Sequence, residues 1–205
     1  MSGNIISREH LDIVRDCAKR VACDIAWPNE MAVFEHVEQT HGAVFGETVL
    51  RILKFCAEEV AHQLAGALAV SCYFDAWHHA VARYESGYAL DLTTLNELAA
   101  LIEPLENVGG RYRCSTVSIS GMSAGTPPDL IERGMMELEA GLIAYQEGER
   151  VDFYGRPMNP QLLYTAFQEI HPRKNGNGRE GKIIYNWLMD LLNEPIFPEY
   201  PFAAV

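Results

Sequence analysis

Apolar positions along this chain recur mostly at helical spacing. After Ser7, placed to cap a helix, Ile13, Val14, Cys17, Ala18, Val21 and Ile25 form one stripe, which Trp27-Pro28 ends. A long helical region is predicted from about Glu30 to Tyr84. Within it Val49, Ile52, Leu53, Cys56 and Val60 share a face, and "AGALAV" suits a helix buried on several sides. "ESGYALDLTT" interrupts the pattern. Thr94 with Glu97 then predicts a capping box ahead of Leu95, Leu98, Ala99, Ile102 and Leu105, with Pro104 kinking or ending that helix early.

Strand-like alternation is convincing only in "GGRYRCSTVSISGMSAGTPP". Val117 and Ile119 fall on one side, Ser118 and Ser120 on the other, and Gly121 and Gly125 suit a turn back into a short hairpin. Asp129, after Pro127-Pro128, is expected to cap a helix carrying Met135, Leu138, Leu142 and Tyr145, with Met135 and Met136 as core filler. "GERVDFYGRPMNP" reads as a loop. Two helices complete the chain. Leu162, Leu163, Ala166, Phe167 and Ile170 mark the first, and Ile183, Ile184, Trp187, Leu188, Leu191 and Leu192 the second, before Pro195 and Pro198.

Between those helices stands "HPRKNGNGREGK", His171 to Lys182, too polar for a core element and too rich in glycine for an ordinary helix. Gly176, Asn177 and Gly178 lie where successive N–H groups converge at the positive end of the second helix, an anion site. Arg179 adds a planar cationic fork, and Lys182 lies three residues further along the same side. His171, at the other lip, is matched to taking a proton from an attacking hydroxyl. Together these residues point to phosphoryl or nucleotidyl transfer. A P-loop fits less well. Gly176, Gly181 and Lys182 satisfy its spacing, but position 183 is Ile instead of Ser or Thr, and the preceding segment has helical periodicity. The bland alternative is a glycine-rich connector with solvated charges.

Composition narrows the partners. With 16 Lys plus Arg against 28 Asp plus Glu, the 205-residue chain carries a formal charge of −12, which opposes attraction to nucleic acid or anionic lipid. The apolar run Leu64 to Phe74 is too short to cross a bilayer and the start is no secretory signal, so a soluble, cytoplasmic protein is expected. Cys17, Cys23, Cys56, Cys72 and Cys114 lack zinc-site spacing and read as buried, reduced thiols. His78 and His79 face different directions on a helix, and the acidic run Asp129 to Glu139 reads as a solvated face.

The quoted loop resembles the signature of the Fic (Fic/Doc) domain, H-P-F-x-[D/E]-G-N-G-R-x-x-R. The resemblance extends over roughly Leu92 to Pro195, through "TLNELAALIEPLENVGGRYR", "STVSISGMSAGTPP" in place of the β-hairpin flap, "IERGMMELEAGL" and "YTAFQEIHP". It implies a mainly α protein: a Fic-fold helical core over 87–205 with a short β-hairpin flap, and an N-terminal helical extension over 1–86. It also implies transfer of AMP from ATP to a Ser, Thr or Tyr hydroxyl of a target protein. His171 would be the base, Gly176, Asn177, Gly178, Arg179 and Lys182 would hold the nucleotide phosphates, and Thr116, Val117, Ser118, Ile119 and Ser120 would hold the target by strand pairing.

Three positions depart from that pattern. Asn175 replaces the acidic residue that holds Mg²⁺, and a neutral amide is a poorer ligand for a hard cation. Arg173 replaces the Phe that anchors the loop, so the loop is either looser or buries that side chain's stem. Lys182 replaces the final Arg and loses bidentate geometry. The alternatives implied are a catalytically impaired Fic-like binding module or a Doc-like phosphotransferase. Glu106, Glu147 and Glu180 precede Gly or Asn but lack Ser or Thr four places earlier, so the inhibitory motif [S/T]-x-x-x-E-[G/N] is absent. A separate antitoxin-like regulator, or a weakened site that needs none, is the corresponding expectation.

Overall fold

The computed structural model describes residues 43–62, 67–119 and 122–199. The helix predicted after Ser7, and Ser120 of the predicted hairpin, lie outside the described residues. The chain is mainly helical: α1 (Ala43–His62), α2 (Ala67–Glu85), α3 (Leu92–Ile102), α4 (Ile131–Gln146), α5 (Pro160–Ile170) and α6 (Asn177–Leu188). Two three-residue strands, β1 (Val117–Ile119) and β2 (Met122–Ala124), pair antiparallel with Val117 opposite Ala124 and Ile119 opposite Met122.

The predicted stripe of α1 is buried, with Val49, Ile52, Leu53, Cys56 and Val60 all 5% exposed or less. It packs on α2, which in turn lies against α3 and α6. Trp77 of α2 is fully enclosed between Phe55 and Tyr73, and its indole N–H donates to the Leu192 carbonyl at 2.8 Å. One apolar cluster thus joins α1 and α2 to α3 through α6. Each large side chain enclosed there contributes about 1.5–3 kcal/mol relative to exposure. On the other side Gly134 and Gly141 let α4 approach α5, since a Cβ at either would come within 3.3 Å of Ile170 or 3.1 Å of Leu163.

Several expectations need correction. The cap of α3 is Asp91, whose carboxylate accepts from the Thr94 N–H at 2.8 Å, and Thr94 turns its own hydroxyl to the Ala89 carbonyl. Glu97 is held instead by His79 and Arg83 of α2, so the Thr94–Glu97 capping box does not form. Asp129 makes no cap, because it sits inside a 3₁₀ turn, Pro128–Leu130, ahead of α4. Helix α6 stops at Leu188, and Asp190 takes a left-handed φ of 59° that turns Leu192 into the core. Cys114, Leu162 and Met136 are exposed where burial was expected. Pro104 does follow the end of α3, as its missing N–H requires.

Replacing the cap by Asp91→Ala is expected to cost about 1 kcal/mol. Thermal melting should show this as a Tm lower by about 2–4 °C for a chain of this size.

Candidate functional site

The loop from His171 to Gly176 joins two helices that pack along their length. Asn159 starts α5 by accepting from the Leu162 N–H at 2.9 Å, with Pro160 at the first helical position. The helix ends at His171, which adopts a left-handed conformation (φ 50°, ψ 60°) while its N–H closes the last turn on Phe167. Such a φ is uncommon for a side-chain-bearing residue and must be held by its surroundings.

Arg173 is completely buried. Its guanidinium meets Glu180 of α6 in a two-pronged pair, Nε to Oε2 at 3.0 Å and Nη2 to Oε1 at 2.9 Å. It also donates to the Gly110 carbonyl and to Asn96 Oδ1 at 3.1 Å, and lies 5.0 Å from the centre of the Tyr112 ring. The loop is therefore anchored by a buried ion pair where the resembling signature has a phenylalanine. Burial raises the pKa of the Glu180 carboxyl, and the adjoining Arg173 charge pulls against that rise.

Asn177 ties the loop to itself, because its Oδ1 accepts from the Arg173 N–H at 2.8 Å and its Nδ2 donates to the Arg173 carbonyl at 3.0 Å. Gly176 caps α6 at φ 84°, and a Cβ there would meet Ile102 at 2.8 Å. The Asn175 amide oxygen accepts from the Gly176 N–H at 2.8 Å, and its main-chain carbonyl accepts from Asn107. Asn175, read as a weak Mg²⁺ ligand, has thus committed its oxygen within the loop. Among the described residues no three His, Cys, Asp or Glu side chains gather as a metal-holding group. A neutral amide engaged in this way offers a hard cation such as Mg²⁺ less than a carboxylate would.

The expected phosphate-facing cations are engaged with carboxylates. Arg179, 1% exposed, pairs with Glu103 at the end of α3. Lys182, 7% exposed, meets Glu59 of α1 at 2.8 Å, and the exposed Lys174 reaches Glu106 at 3.2 Å. With Arg173 and Glu180, all four basic side chains of the loop face acids. The loop runs into the start of α6 at Gly176, and the first N–H groups of a helix have no acceptor within the helix.

No family model matches this chain, and no curated protein matches it significantly. The likeness to a known signature therefore rests on the residues quoted above.

His171 is half buried. Desolvation chiefly, and the Arg113 charge after it, lower the pKa of its ring below the ordinary imidazole value, while a hydrogen bond to the Gln168 main chain opposes them. Burial and the Arg113 charge thus favour the neutral ring, the form that accepts a proton. Arg113 itself is 5% exposed and spans from the loop to the β1–β2 ribbon. The sequence pattern marks Arg113 only within "GGRYR", does not mark Glu59 or Glu103, and marks Glu180 only as a residue before Gly, not as the partner of Arg173. Glu180 had a usable signal, since an arginine in an anchoring apolar position calls for a nearby acid. Apart from the loop, a groove of about 750 Å³ runs between α4 and α5 over Leu130, Gly134, Leu138, Met158, Leu162 and Ile170.

Removing one partner of the buried pair, by Arg173→Ala or Glu180→Ala, is expected to destabilise the fold by about 3–5 kcal/mol in denaturant titration, and Arg173→Leu with Glu180→Leu to recover most of the loss. For His171 the folded pKa lies below the unfolded value of about 6.5. The unfolded chain therefore binds the proton first as pH falls. Its contribution to stability should be level above about pH 6.5 and decline below it until the folded ring also titrates. A ring titration by NMR with a midpoint at or above 6.5 contradicts this.

Proposed function

We propose that this chain is a Fic-type protein nucleotidyltransferase that moves AMP from ATP to a Ser, Thr or Tyr hydroxyl of a target protein. The Fic-type helical core, with β1 and β2 as its flap, belongs to the same proposal. The observation that carries it is His171, an imidazole biased to its neutral form at one lip of a loop whose other lip is a helix start. In the proposed step the target oxygen attacks the α-phosphorus, His171 takes the hydroxyl proton, and the bond to the leaving pyrophosphate breaks. General-base catalysis of this kind supplies about 10²–10⁴-fold. The N–H groups of Asn177, Gly178 and Arg179 would receive phosphate oxygens.

A second reading has its own observation. Arg179 and Lys182 are already neutralised by Glu103 and Glu59, and Asn175 lacks the charge to hold a metal. That favours a module which binds a nucleotide or partner with little turnover.

Incubation with ATP labelled at the α-phosphate, with Mg²⁺ or Mn²⁺, separates the two. Transfer predicts label on the protein or on a lysate protein, reduced at least about 100-fold by His171→Ala while calorimetric ATP binding persists. Binding without label from any nucleoside triphosphate decides for the second reading. Asn175→Asp should strengthen metal-dependent ATP binding, and unchanged metal titrations would contradict the role given to that position.

A further inference from the structure

Arg113 collects main-chain oxygens from two separate parts of the molecule. Nε donates to the His171 carbonyl at 2.7 Å, Nη1 to Ser115 at 2.7 Å, and Nη2 to Thr126 at 2.5 Å and Ile170 at 3.5 Å. Its own N–H donates to the Pro172 carbonyl at 2.9 Å. Ser115 and Thr126 are the two feet of the β1–β2 ribbon, whereas Ile170, His171 and Pro172 are the end of α5 and the turn beyond it. A cation at a helix C-terminus is favourable by itself, but that effect needs none of the ribbon's carbonyls.

Two further contacts close the junction. The Thr126 N–H donates to the Ile170 carbonyl at 3.1 Å. At Gly125, with φ 78°, an added Cβ would stand 2.7 Å from His171 Cβ and 2.8 Å from Arg113 Nη2, so the ribbon's exit lies directly on the imidazole-bearing residue. Lysine at position 113 keeps the charge and lacks the planar fork that reaches all of these oxygens.

We propose that Arg113 is a positioning residue that couples the β1–β2 ribbon to His171, so that a target strand pairing with the ribbon meets the imidazole at a set distance. The catalytic consequence rests on the proposed transfer reaction; the coupling does not.

NMR of the full chain without nucleotide or target tests it, comparing wild type with Arg113→Lys and Arg113→Gln after circular dichroism confirms folding. Against the His171 ring stand the Arg113 cation and the Gln168 main chain. Both variants should raise amide exchange in Val117–Ile119 and Met122–Ala124 about tenfold, the effect of one or two lost hydrogen bonds, and shift the His171 resonances. In Arg113→Gln alone the His171 titration midpoint should also rise, because the neighbouring positive charge is gone. Ribbon exchange that rises while His171 is unchanged, or neither changing, overturns the coupling; if Arg113→Gln does not fold, Arg113→Lys decides by the first two readouts. Absence of AMP transfer would leave this result standing, and absence of coupling would leave the transfer test open to succeed.

Discussion

The buried pair between Arg173 and Glu180 is the contact on which the path of the loop depends. Both side chains are fully removed from water, a state tolerated only when the geometry is good and the remaining N–H groups find acceptors. Here the guanidinium spans Glu180, Asn96 and the Gly110 carbonyl, and lies on the Tyr112 face. One side chain thereby joins the loop to α6, to α3 and to the turn that follows α3. With Arg173 held inward, Asn177 can close on its main chain, and Gly176 caps the start of α6.

Three of the loop's ion pairs lie inside the protein, and the pair of Lys174 with Glu106 lies at its surface. The chain is acidic overall, and part of that acid is spent on its own loop through Glu59, Glu103, Glu106 and Glu180. An incoming phosphate would meet cations that already have partners, so its binding competes with internal carboxylates in addition to losing water. This is the physical tension between the transferase reading and the binding reading. Affinity then depends on helix-start N–H groups, which carry only partial charge.

At the opposite end of the loop the balance differs. His171 ends α5 in a left-handed conformation, and its partial burial and the neighbouring Arg113 charge both favour the neutral ring. The same arginine anchors both feet of the ribbon. The imidazole and the ribbon consequently share one support.

The sequence alone determined a helical region where α1 and α2 stand without dividing them, the helices α3 to α6, the short strand pair, the helix-loop-helix around His171 and the residues that make that loop unusual. These follow from local rules: apolar spacing, proline stops and the conformational freedom of glycine at Gly176. Local rules also misplaced the cap of α3, because Asp91 and Thr94 are both competent caps and only the pairing of Glu97 with α2 shows which is used. Whether the loop's cations face solvent or an internal acid was decided by tertiary structure alone. Glu59 and Glu103 lie far from Lys182 and Arg179 along the chain, and they become partners only when α1 and α3 pack beside α6. Nothing in the spacing of charges records which distant acid will arrive, since that is set by how apolar faces bring the helices together.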